Sequence, residues 1–122
     1  MTGDDVVLEV GDETWEQLVN EADLPVILVV SARWWADEVR LREDLDALAE
    51  RTQERLVVAH ADEDSNPRMV RALSVPSVPA AFVFRDGALV ESAAGPLPDR
   101  RLRGLAERAL ASAPDRDDAT PP

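Results

Sequence analysis

The sequence predicts an α/β fold: a three-layer α/β/α sandwich around a central mixed sheet of four to five strands, in the order βαβαβαββα. Three observations carry this reading. Residues 25–30 and 56–61 are near-continuous apolar runs rich in β-branched side chains, the pattern of strands covered on both faces. The segments that alternate with them place apolar residues three and four positions apart, as amphipathic helices do. Arg85-Asp86-Gly87 joins two further apolar runs, and an Asp-Gly pair in that setting signals a tight hairpin. Alternating strands and helices favour parallel pairing, and a closing hairpin adds antiparallel strands to the same sheet.

Taken in order, residues 6–10 are a short β-prone run ended by the turn residues Gly11-Asp12. Thr14 suits an N-cap, with Gln17 three residues on as its capping-box partner. The helix it opens turns Trp15, Leu18 and Val19 to one face, which makes Trp15 a core residue. Residues 25–30 form a central strand. An amphipathic helix follows from about Trp34 to Glu50, with Leu41, Leu45, Leu48 and Ala49 as its buried stripe. A second buried strand covers 56–61. Asp62-Glu63-Asp64-Ser65-Asn66 is a turn, and Pro67 suits the first position of a short helix through Leu73. Residues 80–84 and 88–92 are the hairpin strands. The last helix gathers Leu102, Leu105, Ala106, Ala109 and Leu110 on one face. The result is one domain over residues 1–111 and a Pro- and Asp-rich tail, 112–122, expected to be disordered.

The 122-residue chain carries a formal net charge of −12. Phosphates would be repelled, so neither nucleic acid nor an anionic membrane surface is an expected partner. No apolar run approaches a membrane span, and the acidic start Met1-Thr2-Gly3-Asp4-Asp5 is unlike a secretory leader; the expected location is the cytoplasm. The charge is uneven. Residues 1–25 hold eight acids and no base, whereas the last helix carries Arg100, Arg101, Arg103 and Arg108. Both stretches read first as solvated faces and second as docking surfaces.

Candidate chemistry is sparse. The segment from Asp62 begins like a calcium loop, but Pro67 stands where the loop needs Gly and Leu73 where it needs a bidentate Glu; no metal and no cofactor are expected. Asp37 and Glu38 are adjacent acids at a helix start, where they complement the macrodipole. His60 reads as a packed strand residue, with no Ser or Cys nucleophile to pair with and no second His for a metal. The chain has no cysteine. Disulfide exchange needs one thiolate to attack and a second thiol to resolve the mixed disulfide, so that activity is excluded and no enzyme is expected.

Four blocks then bear on the fold: residues 25–32 leading into Trp34, Asp64-Ser65-Asn66-Pro67, Leu73-Ser74-Val75-Pro76-Ser77-Val78-Pro79-Ala80, and Phe82-Val83-Phe84-Arg85-Asp86-Gly87 followed by Gly95. In order and separation they resemble the thioredoxin family. The resemblance implies a cis peptide bond before Pro79. It places the first catalytic cysteine of the family at Trp35 and the second at Glu38. The family's buried proton-transfer Asp falls at Val29, and its Lys partner falls at His60. All four positions of one mechanism have changed together, which marks a settled non-redox member.

The resemblance also implies a shallow groove in which an extended peptide pairs beside the cis-proline, a form of strand addition. Trp34, Trp35, Val78, Pro79 and Gly95 match its floor, and none of them needs a thiol. Helical neighbours point about 100° apart, so the two tryptophans are not expected to share one core, and an exposed Trp is enriched at binding hot spots. The bland alternative is that one Trp packs on the sheet while the other merely caps the helix. Trp35 in the nucleophile's place would also fill part of the groove. The expected function is therefore a non-catalytic protein-binding module, a chaperone, adaptor or accessory protein, whose partner is a protein or extended peptide. The alternative is a structural subunit of an enzyme complex that docks through the last helix or the acidic N-terminus.

Overall fold

The computed structural model describes residues 6–118, with side chains through residue 111. Its elements are β1 (Leu8–Glu9), α1 (Trp15–Glu21), β2 (Val26–Ser31), α2 (Glu38–Arg51), β3 (Val57–Asp62), α3 (Pro67–Leu73), β4 (Ala80–Arg85), β5 (Ala88–Ala94) and α4 (Asp99–Asp118). The strands lie in the spatial order β1-β3-β2-β4-β5. β1 and β2 run parallel to β3, while β4 is antiparallel to both β2 and β5. This is the expected α/β architecture with a mixed sheet.

Every residue of β2 is buried. Successive strand side chains point to opposite faces, and the two faces of β2 feed two cores. Ile27 and Val29 pack with Leu41, Leu45 and Leu48 of α2 and with Leu102 and Leu105 of α4. Val26, Leu28 and Val30 pack with Val19 of α1 and Met69 of α3, where Trp15 and Leu18 close the rim half-buried. Each such side chain contributes about 1.5–3 kcal/mol by leaving water. The hairpin between β4 and β5 turns on Asp86 (φ 54°) and Gly87 (φ 83°), the left-handed pair that a two-residue loop requires. Val90 is skipped between the pairs Val83–Glu91 and Phe84–Leu89, forming a bulge.

A lock ties the turn after β1 to the start of α3. The Asp12 N–H donates to Asn66 Oδ1 (2.9 Å), and the Asp12 carboxylate accepts from the Met69 N–H (2.7 Å). Asp12 thereby satisfies a first-turn donor of α3 from across the chain, where Asn66 itself makes no side-chain cap. The Asn66 amide also donates to Asp62 O (2.8 Å).

Local departures from the sequence reading have local causes. β1 is two residues long because the chain turns away at Gly11. Thr14 does precede α1, but it makes no capping box: its Oγ1 accepts from the Gly11 N–H (2.9 Å), and Gln17 faces Glu21 instead. α2 starts at Glu38 rather than Trp34. The Trp35 N–H donates to Ala32 O (3.0 Å) and the Glu38 N–H to Trp35 O (3.1 Å), and these i to i−3 bonds make turns, not α-helix. The tail was expected to begin at residue 112; the backbone of α4 runs to Asp118, and residues 119–122 lie outside the described residues. Among the described residues no helix is long and apolar enough to cross a membrane.

A Cβ at Gly11 would run into Asn66 Oδ1. Gly11→Ala should therefore push the Asn66 amide off its partners and destabilise the fold by about 1–3 kcal/mol, the cost of leaving buried polar groups unpaired. Urea unfolding of the two proteins side by side measures this.

Candidate functional site

Strand register brings three loops to one end of the sheet. Val30 pairs with Ala80, and Ala80 pairs with Ala94. The loop 32–37 after β2, the segment 74–79 before β4 and the loop 95–98 after β5 therefore meet there. The Val78–Pro79 peptide is cis, as the resemblance implies. Pro79 is buried and Val78 half-buried. The Gly95 N–H donates to Pro79 O (2.9 Å), which joins two of the loops. Gly95 has φ 98°, a conformation that excludes most other residues.

The two tryptophans divide between surface and interior. Trp34 is 64% exposed. Trp35 packs against the core beneath α2 and α4, and with Pro96, Leu97 and Pro98 it lines a recess of about 200 Å³. Both precede α2 rather than riding on it. Asp44 lines the same recess. Its carboxyl is held above the ordinary 3.8, first by desolvation and then by the neighbouring Asp99 charge.

Behind this loop lies a polar cluster drawn from four elements. His60 of β3 is only 2% exposed. Ser31 Oγ at the end of β2 donates to Glu38 Oε1 at the start of α2 (2.6 Å) and stands 2.6 Å from His60 Nε2. With the hydroxyl proton committed to Glu38, Nε2–H must be the donor to Ser31. That leaves Nδ1 as an acceptor for Arg42 Nη1 (2.6 Å). Arg42 Nη2 reaches on to Glu9 of β1 (2.9 Å), whose carboxylate also lies 3.0 Å from Nδ1. The cluster floors a cleft of about 500 Å³ rimmed by Glu43, Asp46 and Asp62.

The positions implied by the resemblance are thus accounted for. Val29 is fully buried among apolar side chains and pairs in register with His60. Glu38 and His60 join one cluster, 3.8 Å apart. Trp35 is half-buried and packs against the same core as Val29. Contrary to the sequence reading, His60 does have a serine beside it. Ser31 is nonetheless fully buried and gives its proton to Glu38. A nucleophile must reach its substrate, so this pair does not assemble an acyl-transfer site. Ser31, Arg42 and Glu9 were missed. The available signals were that Ser31 shares a strand face with Val29 two residues earlier, and that Arg42 follows Glu38 by one helical turn. At the turn that resembles a calcium loop, Asp62 accepts from the Ser65 N–H and hydroxyl. Among the described residues no group of three His, Asp or Glu converges to hold a metal.

The thioredoxin family model matches residues 6–108. Thioredoxin 1 of Synechococcus elongatus is 26% identical over 105 residues, which is 86% of this chain and 98% of that protein. The thioredoxin of Porphyra purpurea is 28% identical over 96 residues, or 79% of this chain and 90% of that one. A solved structure of a mutant thioredoxin from Halobacterium salinarum NRC-1 superposes with a TM-score of 0.79 at 28% identity, covering 90% of this chain and 96% of that chain.

Two outcomes test the site's energetics. Ser31→Ala strands the His60 Nε2–H without an acceptor and should cost about 1–3 kcal/mol of stability in urea unfolding. Asp44 holds its proton more tightly folded than unfolded, so folding is favoured as pH falls through its folded value and opposed above it. Asp44→Asn should therefore raise Tm at neutral pH, with the gain shrinking as pH falls towards 3.8. A gain that is constant across the pH series would contradict the assignment.

Proposed function

The chain belongs to the thioredoxin family, and on that premise we propose that it is a non-catalytic protein-binding module that holds a protein partner or extended peptide at the end of the sheet where Trp34, Trp35, Val78, Pro79 and Gly95 meet. One observation carries the reading. A chain without cysteine cannot exchange disulfides, yet it keeps Trp34 64% exposed at that end. An exposed Trp is a liability in a monomer and a hot-spot residue at an interface. Trp35 meanwhile packs into the core, so the second aromatic supports the loop that presents the first. Acting as a chaperone, adaptor or accessory protein in the cytoplasm, such a module works by affinity alone.

The rival reading is a structural subunit that docks through the last helix or the acidic N-terminus, and of these the helix finds less support. Three of the four arginines named on it are engaged within the chain. Arg101 donates to Ala94 O (3.3 Å) and Pro96 O (2.9 Å), Arg103 pairs with Asp99 (3.0 Å) and Arg108 pairs with Glu91 (2.8 Å). The Arg101 and Arg108 contacts fasten α4 and its preceding loop to β5, and the Arg103 pair lies within α4 itself.

The test is a capture experiment from the source lysate with wild type, Trp34→Ala and Arg103→Glu, followed by titration of the captured protein. Trp34→Ala should keep its Tm and weaken binding by more than about 1 kcal/mol, roughly fivefold. Equal binding by Trp34→Ala with loss in Arg103→Glu would overturn the groove reading and restore the helix.

A further inference from the structure

A second surface lies at the opposite edge of the sheet and is independent of the Trp34 reading. Among the described residues β1 is an edge strand, paired with β3 alone. Between β1 and α1 runs an open groove of about 410 Å³ whose apolar lining is Leu8, Val10, Leu18 and Ala22, with Glu9 and Glu21 beside them. Val10, Leu18 and Ala22 back onto the core beneath α1, so the floor is anchored. Leu8 stays 38% exposed.

The charge around this groove has one sign. Residues 6–25 hold six acids and no Lys or Arg. Arg42 answers Glu9, and Arg68 stands 3.7 Å from both Asp12 and Glu13. Glu21, which lines the groove, forms no ion pair among the described residues, nor do Glu16 and Asp23 on the same N-terminal stretch outside its lining. We propose that this groove docks a partner segment whose apolar side chains are flanked by Arg or Lys. The apolar floor rewards desolvation of the partner's aliphatic residues, and a flanking cation meets the Glu21 carboxylate on the groove, whose neighbour is the uncharged Gln17 amide at 3.4 Å. The same field speeds encounter with a cationic partner and repels a like-charged one. A second copy of this chain, at −12, is disfavoured on that ground.

The probe is a short fluorescein-labelled peptide of Leu and Arg in helical periodicity, compared with its Leu and Glu counterpart, with binding read by anisotropy and located by amide chemical-shift changes. The Leu–Arg peptide should bind, with shifts concentrated at Leu8, Val10, Leu18 and Ala22. Leu8→Gln/Glu21→Arg should weaken it by about tenfold or more, while Glu50→Gln/Glu54→Gln, which shifts the net charge by the same amount elsewhere, should leave it unchanged. Three results would overturn the proposal. One is equal loss in both variants, which means diffuse charge attraction. Another is equal binding of the Leu–Glu peptide, or no binding of either. The third is self-association of the free chain in sedimentation with shifts on this face, which assigns the groove to a second copy.

Discussion

The burial of β2 on both faces is the constraint from which the rest of the structure follows. Flanked by β3 and β4 and facing one core on each side, it has no position from which a charged side chain can reach water. A carboxylate desolvated there costs several kcal/mol unless a partner is supplied. Val29 meets that constraint by being apolar. The same strand sets the geometry of the candidate site, because its register with β4, and that of β4 with β5, decides which loops become neighbours. A slip of one residue would exchange the two cores and scatter the loops.

Polar groups that the sheet does bury lie at its end, where α2 can reach them. A buried imidazole without partners would carry a penalty of about 1–3 kcal/mol. Here Ser31 accepts from His60 and Arg42 donates to it, while Glu38 and Glu9 hold those two partners in place. By the family resemblance the acid would sit on the strand at Val29; in this chain the acid that binds Ser31 sits on the helix at Glu38. The exchange ties the first turn of α2 to β2 and β3, directly behind the loop that bears the tryptophans. Ala32 is buried at one end of that loop and Glu38 is bound at the other. Trp34 is thus presented from a frame fixed at both ends, which lowers the ordering cost of binding.

What was legible in the sequence was whatever depends on near neighbours. The apolar run of β2, the stripe of α2, Pro67 at the start of α3 and the Asp-Gly hairpin are all written within a few residues, and each forms where it was expected. Two kinds of feature were not legible. Thr14 and the helix start at Trp34 failed because a competing local bond or turn won, which propensity cannot rank. The His60 cluster was hidden for a different reason: its partners Glu9, Ser31 and Arg42 lie 51, 29 and 18 residues away. Only the strand order β1-β3-β2 brings them together. The division of Trp34 from Trp35 belongs to the same class, since it depends on where the loop 95–98 lies.

Distance decides whether the two proposed surfaces act together. Strands stand about 4.8 Å apart, so β1 and β2, whose following loop carries Trp34, are separated by two spacings, about 10 Å. At physiological ionic strength the Debye length is about 8 Å. The acids of the α1 groove are therefore largely screened from Trp34, and neither surface tunes the other's affinity through charge. A small domain with one rigid sheet has little else with which to couple them, because allostery needs a two-state element that both sites bias. Cooperation between the surfaces must come from the partner. A single protein carrying both an extended segment for Trp34 and a basic apolar segment for the α1 groove would gain effective concentration at the second contact once the first had formed. Two separate proteins would bind without noticing each other, and the module would then work as a bridge.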